Sequence, residues 1–421
     1  MLLRDLKSKT ILILGFGREG QDTFSFLKKA FPGKKIGIAD KKKLNDFSSK
    51  ERKMIKGSKA HLGPNYLKAI GKYDLVIKSP GISFKEIKQN HSFKFISQTG
   101  IFFDNCSGTI VGVTGTKGKS TTSSLIFHIL KKAGIPCRLV GNIGKPALSS
   151  LLEAKKEDVF VYELSSHQLQ KLEKSPNVAV FLNIFPEHLD YYKSFKDYVS
   201  AKENILKHQG KNDFLVFNKE DKIVRELAKK SKARKIPVRG KYYELDRNAA
   251  KAVAKIFNIP GKTIERAVKG FAPLEHRLEF AGAFKGVSFY NDSLSTVPEA
   301  AIEAMDFLGN KVSVMILGGF DRGVDFKNLA KRISESKIRT LIFFPPSGKR
   351  IWKSVKDKKR FKSFFVKNMK EAVTISFQEA KKGEICLLSP ASPSFGTFKD
   401  YRDRGNAFKK EAAKLGKKHW N

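Results

Sequence analysis

Short stretches rich in apolar residues, each followed by a glycine-containing turn and an amphipathic segment, recur along the whole chain. They cover residues 10–14, 35–39, 73–78, 110–113, 159–163, 178–182, 213–218, 282–290, 312–317, 341–344 and 385–388. Such stretches are typical of buried strands, and the segments between them have the period of helices. Strands that alternate with helices indicate parallel sheets. The pattern predicts an α/β fold of three consecutive domains, residues 1–104, 105–273 and 274–421.

The stretch 110–113 leads into a glycine-rich turn and then into a helical pattern. Gly115 and Gly118 let backbone N–H groups approach phosphate oxygens, and the helix that follows adds the positive end of its dipole. Lys119 can reach β- and γ-phosphates, and the Ser120 hydroxyl can bind Mg²⁺. Val113 stands where the strict GxxxxGK[ST] pattern has its first glycine. We expect this loop to bind a nucleoside triphosphate; a tight turn that happens to contain glycine and lysine is the alternative.

A second glycine-rich turn, residues 15–20, follows the first predicted strand and has the form GxGxxG. The second predicted strand ends in Asp40, about 20 residues further on, as in the ribose-binding pattern of a Rossmann unit. Residues 79–81 follow the third strand at the same predicted edge of the sheet. The pattern predicts a nucleotide-binding unit, although glycines that serve only the turn would give the same spacing.

Three side chains after the phosphate loop could support a metal ion. Glu163 ends one predicted strand, His188 follows the next, and Lys202 lies in a helical pattern. Carboxylate and hydroxyl oxygens suit Mg²⁺, which usually keeps several waters. Taken singly, these residues could also be a strand-end carboxylate, a capping histidine and a surface lysine.

The charge is strongly positive, with 82 Lys and Arg against 41 Asp and Glu, a formal net charge of +41. Because the lysines are scattered along the chain, we expect a solvated surface that attracts anionic substrates, and a nucleic-acid-binding protein is the alternative. No apolar stretch reaches the ~18 residues that a membrane helix needs. The N-terminal apolar stretch is too short for a signal peptide, and the three cysteines are far apart. We therefore expect a cytoplasmic protein with no membrane partner, and a monomer.

The order of these motifs resembles the Mur ligase family, the ATP-dependent amide-forming enzymes of peptidoglycan precursor synthesis. The residues that carry the resemblance are 114–121, 141–144, 163–169, 187–190, 201–202, 276–277, 291–293, 388–391 and 404–406. The resemblance implies an N-terminal Rossmann-like domain, a central P-loop ATPase-like domain and a C-terminal Rossmann-like domain. It further implies that glutamate is added to UDP-N-acetylmuramoyl-L-alanine through an acyl phosphate. Folylpolyglutamate synthase shares the last two domains, but the N-terminal GxGxxG unit argues against it.

The family resemblance also implies a role for individual residues. ATP is expected to contact Gly115, Thr116, Lys117, Gly118, Lys119, Ser120, Thr121, Asn248, Arg277 and Asp292. Two Mg²⁺ ions are expected at Ser120, Glu163, His188 and Lys202, with Lys202 carrying CO₂ as a carbamate; Lys119, Glu163, His188 and Lys202 form the catalytic set. The UDP-muramoyl substrate is expected at Gly15, Phe16, Gly17, Arg18, Asp40, Ser79, Pro80, Gly81, Asn142, Ser165, Gln168 and His188. The acceptor amino acid is expected at Thr296, Arg322, Ser394, Phe395 and Tyr401.

The sequence departs from the commonest pattern of its branch of the family at the acceptor positions. Leu294 stands where many relatives have lysine, and Arg322 stands where lysine is also common. D-glutamate is the usual acceptor of that branch and is our expectation. L-glutamate is the alternative, because the departures cluster in the acceptor loops.

Overall fold

The computed structural model describes residues 1–87, 94–188, 191–272 and 274–417. These residues form three β-sheets and divide into two compact units, Met1–Phe271 with two sheets and Ala272–Asn421 with one. The predicted α/β class is therefore confirmed, with one sheet in each of the three predicted segments. The domain bounds at 104 and 273 stay predictions, and Pro273 itself lies outside the described residues.

The N-terminal sheet has five parallel strands in the order β3-β2-β1-β4-β5. The strands are β1 (Ile11–Leu14), β2 (Ile36–Asp40), β3 (Lys59–Leu62), β4 (Leu75–Lys78) and β5 (Lys94–Ile96), and the helices are α1 (Arg18–Ala30), α2 (Ser49–Lys56) and α3 (Gln98–Asn105). Every residue of β1 is apolar and buried, as expected for a central strand covered on both faces. The strand order reverses between β1 and β4, which is where ligands bind in open α/β sheets.

The central sheet has six parallel strands in the order β11-β10-β9-β6-β8-β7. The strands are β6 (Thr109–Thr114), β7 (Cys137–Gly141), β8 (Val159–Glu163), β9 (Val178–Phe181), β10 (Phe214–Asn218) and β11 (Arg234–Val238). The helices are α4 (Lys119–Lys132), α5 (Ser166–Leu169), α6 (Phe195–Lys207), α7 (Lys222–Lys230), α8 (Tyr243–Ile256) and α9 (Gly261–Lys269). α4, α8 and α9 cover one face of the sheet with an apolar core, and α6 and α7 cover the other.

The C-terminal sheet has six strands in the order β12-β13-β17-β14-β15-β16. The strands are β12 (Glu279–Phe284), β13 (Val287–Asn291), β14 (Val312–Gly318), β15 (Thr340–Phe344), β16 (Lys362–Phe365) and β17 (Ile385–Leu388). The helices are α10 (Pro298–Leu308), α11 (Lys327–Ser334), α12 (Ser347–Ser354), α13 (Met369–Glu379) and α14 (Tyr401–Gly416). Only β12 runs antiparallel to its neighbour, with which it forms a hairpin at the edge of the sheet.

Short 3-10 helices complete the secondary structure, and capping side chains fix several helix starts. The 3-10 helices are Leu3–Leu6, Leu44–Asp46, Tyr66–Lys72, Phe84–Glu86, Leu148–Glu153, Gly309–Lys311 and Lys358–Arg360. The predicted helix start near Ser194 is confirmed, because this side chain accepts a hydrogen bond from the N–H of Asp197. The described helices include none that combines the length and the apolar character needed to cross a membrane.

The sequence pattern did not predict five of the strands in the described residues: β3, β5, β7, β11 and β16. Each of them lies at an edge of its sheet, where one side of the strand has no neighbour to pack against. Their sequences mix charged and apolar residues, as in Lys59–Leu62, and therefore lack a continuous buried run. The predicted strand at 73–78 begins only at Leu75, because the Tyr73 side chain packs over Gly37 of β2 instead.

We expect Gly20→Ala to destabilise the turn between β1 and α1. A β-carbon at position 20 would overlap the carbonyl oxygen of Gly15, so the turn must open. Overpacking of this kind costs about 1–3 kcal/mol and should lower the melting temperature measured by circular dichroism. Gly71→Ala is the matched control, because a β-carbon there has no heavy atom within 4 Å. Equal melting temperatures for the two variants would contradict the close approach.

Candidate active site

The loop between β6 and α4 is held in a fixed conformation by the segment that follows β9. The N–H groups of Thr116 and Lys117 donate to the main-chain and side-chain oxygens of Asn183, each at 2.9 Å. Gly118 has a φ of +84°, and a β-carbon there would overlap Oδ1 of Asp246. Only glycine suits this position. The strand, loop and helix predicted for phosphate binding are thus all present.

Two lysine amines converge on one carbonyl oxygen of this loop. Nζ of Lys119 donates to the carbonyl oxygens of Gly115 and Thr116, at 2.9 and 2.8 Å. Nζ of Lys202, on α6, donates to the same Gly115 oxygen at 2.8 Å and lies 3.3 Å from Oγ1 of Thr114. Lys202 is buried, and this burial, followed by the charge of Lys119, holds the pKa of its amine well below the usual range.

Glu163 ends β8 beside the loop and carries an unsatisfied carboxylate oxygen. The strand register pairs Glu163 with Val113 of β6 on one side and with Gly141 of β7 on the other. Its Oε1 accepts from the Asn142 side-chain amide at 3.0 Å, whereas its buried Oε2 has no hydrogen-bond partner among the described residues. A buried carboxylate oxygen without a partner is costly unless a ligand or cation satisfies it.

Glu187 and His188 lie at the opposite side of the loop, after β9. Glu187 forms an ion pair with Lys117 at 2.9 Å; burial raises its pKa, but the charges of Lys117 and Lys119 prevail and bring it to about 2. Burial lowers the pKa of His188, so its ring is neutral at pH 7 and can offer a nitrogen lone pair. The rest of the predicted motif, Leu189 and Asp190, lies outside the described residues.

The predicted metal-binding set contains oxygen donors, which suit Mg²⁺. Residues 1–87, 94–188, 191–272 and 274–417 contain no group of three or more His, Cys, Asp or Glu side chains arranged to hold a metal ion. The predicted set instead combines one carboxylate and one imidazole with the Ser120 hydroxyl at the start of α4 and with Lys202. The partnerless oxygen of Glu163 is the observation that fits a hard cation which keeps several of its waters.

In the N-terminal sheet, the predicted substrate residues meet at the ends of β1, β2 and β4. The Asp40 carboxylate accepts from the N–H of Phe16 at 2.7 Å, and the Ser79 hydroxyl donates to the carbonyl oxygen of Gly15 at 2.8 Å. Gly17 and Arg18 are exposed beside them, and Gly81 is exposed in the loop after β4. Asp40 therefore supports the glycine turn as well as the predicted ligand site.

Residues of the central sheet predicted to meet the muramoyl substrate contact this turn directly. The Arg18 guanidinium donates to the carbonyl oxygen of Gly141 and, at 3.4 Å, to that of Asn142. Gln168 and Ser165 form a capping box at the start of α5, and Nε2 of Gln168 donates to Glu19 Oε1 at 2.6 Å. The Tyr191 hydroxyl donates to the carbonyl oxygen of Pro80 at 3.0 Å.

In the C-terminal unit, Asp292 lies buried at the end of β13. Its carboxylate accepts from the Ser389 hydroxyl at 2.7 Å and from the N–H of Leu278 at 3.2 Å. Burial raises the pKa of Asp292 to about 6, although these hydrogen bonds and the charge of Arg277 oppose the rise. The roles predicted for Asp292 and Arg277 at ATP stay predictions.

The predicted acceptor residues differ in exposure. Ser394 is buried, Thr296 and Tyr401 are half-buried, and Arg322 is exposed on the loop after β14. Phe395 is 51% exposed, and its ring lies 6.4 Å from that of Phe320, which is also exposed. These residues all follow strand ends of the same sheet.

Two residues at these sites had no role in the sequence-based prediction. Asp246 of α8 accepts from the Thr122 hydroxyl at 2.9 Å and faces Gly118, whereas Asn248 points elsewhere and donates to the carbonyl oxygen of Arg239 at 2.8 Å. Residues 246 and 248 lie on nearly opposite sides of the helix, so Asp246 faces the loop and Asn248 does not. The contact predicted between Asn248 and ATP stays a prediction.

Arg404 is the second such residue. It is 1% exposed, and its guanidinium donates to the hydroxyl and carbonyl oxygens of Ser293 at 3.0 and 2.8 Å and to the carbonyl oxygen of Ser392 at 3.0 Å. It thereby joins the loops after β13 and β17. Burial lowers its pKa to about 9, and Asp292 opposes this change. The sequence showed the residue within a motif but not the loops that it joins.

Comparison with known proteins gives the same picture over nearly the whole length. Residues 113–284 match the Mur ligase middle domain, and residues 276–392 match the Mur ligase glutamate ligase domain. The UDP-N-acetylmuramoylalanine–D-glutamate ligase of Acetivibrio thermocellus is 32% identical, with 96% of each chain covered.

Solved structures with this fold share much less sequence. The MurF ligase of Thermotoga maritima in complex with ADP superposes with a TM-score of 0.61 at 18% identity, covering 98% of each chain. The UDP-N-acetylmuramate–alanine ligase MurC of the same organism gives 0.60 at 17% identity, covering 97% of this chain and 100% of that one. The domain matches, the full-length relative and the shared fold agree that the chain belongs to the Mur ligase family.

Proposed function

We propose that the chain is an ATP-dependent ligase that joins glutamate to the alanyl carboxylate of UDP-N-acetylmuramoyl-L-alanine in peptidoglycan precursor synthesis. The relatives named for this reaction align over 96% of the chain. The observation that carries the proposal is the convergence of Lys119, Lys202 and the Glu163 carboxylate on one phosphate loop.

The proposed reaction has two chemical steps. A carboxylate oxygen of the alanyl group attacks the γ-phosphorus of ATP, which forms an acyl phosphate and releases ADP. The glutamate amine then attacks the carbonyl carbon, the C–O bond to phosphate breaks, and the amine gives up a proton as the amide forms. Lys119 stabilises the negative charge on the transferring phosphoryl group, because its ammonium already lies on the loop.

We propose Mg²⁺ binding at the Ser120 hydroxyl, the free oxygen of Glu163, the His188 ring and the modified side chain of Lys202. When bound, the metal offsets charge on the phosphate oxygens. Asn142 holds the other oxygen of Glu163, which fixes the direction in which the free oxygen points. Such support of a ligand by its neighbours is usual at metal sites.

The carbamate on Lys202 follows from the position of its amine. Burial and then the charge of Lys119 hold the pKa of this amine well below its usual range, which favours the neutral, nucleophilic form. The neutral nitrogen adds to the carbon of CO₂ and loses a proton, which gives an anion. The charges of Lys117 and Lys119, which disfavour an ammonium at this position, favour that anion.

For the UDP-muramoyl substrate we propose binding between the N-terminal and central sheets. The diphosphate end would lie at the Gly15–Gly17 turn and the 79–81 loop, where the strand order reverses. Arg18 donates to carbonyl oxygens in the turn that carries Asn142. This contact links the proposed site for the diphosphate end of the substrate to the proposed site for its reacting alanyl end. Ser165, Gln168 and His188 complete the proposed muramoyl contacts, and Asp40 supports the turn.

The acceptor site is proposed at the strand ends of the C-terminal sheet, with D-glutamate as the amino acid. The names of the relatives support this choice. The Arg322 guanidinium can grip a carboxylate with two hydrogen bonds, and Thr296 and Ser394 can donate further ones. We propose a monomer in the cytoplasm, which agrees with the three free cysteines.

Lys119→Ala should abolish ADP formation while the fold survives. The Lys119 ammonium donates to the carbonyl oxygens of Gly115 and Thr116, and its proposed role is on the transferring phosphate. Rates of ADP release at saturating ATP test this, with circular dichroism as the folding control. Lys131→Ala, an exposed position on the same helix, is the matched control and should keep full activity. Near-normal ADP release by the Lys119 variant would refute the phosphate-loop assignment.

Lys202→Arg should be nearly inactive although it keeps a positive charge, because a guanidinium cannot form a carbamate. Wild-type protein in ¹³C-bicarbonate should show a carbamate carbon resonance that is missing from this variant. Lys207→Arg on the same helix is exposed and should retain both the resonance and the activity. Full activity of Lys202→Arg, or an unchanged resonance, would rule out the modification.

The enzyme should use one enantiomer of glutamate strongly, and we expect D-glutamate. Inverting the α-carbon exchanges the amine and carboxylate, so one layout of donors cannot serve both. Product formation from UDP-N-acetylmuramoyl-L-alanine is measured with each enantiomer separately, with racemase and epimerase excluded. A preference for L-glutamate would overturn the stereochemical assignment alone, equal rates would contradict the single layout, and activity with neither would remove glutamate as the acceptor.

A further inference from the structure

The first turns of α1 form hydrogen bonds with several loops of the central sheet, within the same compact unit. Arg18 donates to carbonyl oxygens in the turn after β7. Glu19 accepts from Gln168 of α5. One turn later, Oδ2 of Asp22 accepts from the N–H of Leu148 at 3.1 Å. The first turn of α1 also follows directly on the glycine loop that is proposed to bind the diphosphate. α1 therefore lies next to the proposed diphosphate site and contacts residues of the proposed muramoyl site.

The contact between Glu19 and Gln168 joins a half-buried carboxyl group to a buried amide. Nε2 of Gln168 lies 2.6 Å from Oε1 of Glu19, and Gln168 is only 1% exposed. At the other end of its amide, Oε1 accepts from the N–H and hydroxyl of Ser165, at 2.9 and 3.1 Å. Because a backbone N–H can only donate, the amide oxygen must face Ser165 and the amide nitrogen must face Glu19. Ser165 therefore fixes which way the amide faces, and Glu19 holds its nitrogen end in place.

Several charged and titratable groups face Glu19 from the neighbouring elements. Burial raises the pKa of Glu19 to about 7, the Gln168 hydrogen bond and the charges of Arg18 and Lys78 lower it, and Asp22 raises it. Lys78 is itself buried at the end of β4; burial lowers the pKa of its amine to about 8, and Glu19 opposes that shift. Burial raises the pKa of the Tyr162 phenol on β8, and the charge of Glu19 adds to this rise.

We propose that Glu19 is a positioning residue for the UDP-muramoyl substrate, which orients Gln168 and couples binding of the diphosphate to uptake of a proton. The inference rests on the proposed function, because that function assigns the 15–18 turn and Gln168 to this substrate. The group that acts on Glu19 is the diphosphate of the substrate. Its negative charge would lie beside the Glu19 carboxyl group in the first turn of α1.

The sign of the pH dependence follows from the charge of the carboxyl group. Below about pH 7 Glu19 is neutral, still accepts from Gln168 through its carbonyl oxygen, and does not repel the diphosphate. Above that pH the Glu19 carboxyl group is ionised. The substrate then binds either with uptake of a proton by Glu19 or with repulsion between the carboxylate and the diphosphate. The KM for the UDP-muramoyl substrate should therefore rise above pH 7, by at most about tenfold per pH unit for one coupled proton. The KM for ATP should not follow this change.

The test compares wild type, Glu19→Gln and Glu19→Ala between pH 6 and 8.5, with UDP-N-acetylmuramoyl-L-alanine varied and ATP and glutamate saturating. Glu19→Gln keeps an acceptor for Gln168 but cannot ionise, so its KM should match the wild-type value at pH 6 and stay flat. Glu19→Ala loses the hydrogen bond to a buried amide, so its KM should also be flat but about tenfold higher than that of Glu19→Gln at every pH. Glu153→Gln, at an exposed carboxylate of the same unit, should follow wild type throughout.

The outcomes separate this inference from the function on which it rests. No turnover of UDP-N-acetylmuramoyl-L-alanine by wild type would overturn the proposed function, and the inference with it. Wild-type turnover with a KM that is independent of pH, or a Glu19→Gln profile that rises like wild type, would overturn the inference alone. A parallel change in the KM for ATP would also overturn it, because a general structural defect would then explain the variants.

Discussion

The carbonyl oxygen of Gly115 accepts hydrogen bonds from two lysine amines, those of Lys119 and Lys202. Two unit charges 4 Å apart repel by about 4 kcal/mol at an effective dielectric constant of 20. Lys202 is buried and Lys119 is only partly so, and burial together with the charge of Lys119 holds the pKa of the Lys202 amine well below its usual range. This difference between the two lysines underlies their proposed roles, Lys119 as the charged group for phosphate and Lys202 as the amine that adds CO₂. The rest of the proposed site is arranged around this difference.

The order of strands in the central sheet makes that convergence possible. β6 lies between β8 and β9, so the segments that follow these three strands meet at one edge. The register sets Glu163 beside Val113, and Lys202 reaches the loop from α6, which packs over the other face of the sheet from α4. Asn183, after β9, fixes the loop backbone. A shift of one residue in this register would move Glu163 to the other face of the sheet.

Buried parallel strands could be predicted from the sequence, whereas edge strands and side-chain directions could not. β1, β6, β8 and β14 are continuous apolar runs because helices cover both faces, but β16 mixes lysine with phenylalanine at a sheet edge. The phosphate loop and Glu163 could be found because each follows a strand end. Asp246 could not be distinguished from Asn248, since the choice depends on the rotation of α8 about its axis. The contact between Glu19 and Gln168 joins residues that are 149 positions apart in the sequence, and a local sequence pattern cannot predict contacts at that separation.

The most direct test of the account follows an oxygen atom from substrate to phosphate. UDP-N-acetylmuramoyl-L-alanine labelled with ¹⁸O in both oxygens of the alanyl carboxylate is turned over with ATP and glutamate, and the released phosphate is analysed by mass spectrometry. Each released phosphate should contain one ¹⁸O atom, because the carboxylate oxygen that attacks the γ-phosphorus leaves with it when the amide forms. Amide formation with unlabelled phosphate, or ADP release that does not need the UDP-muramoyl substrate, would contradict it.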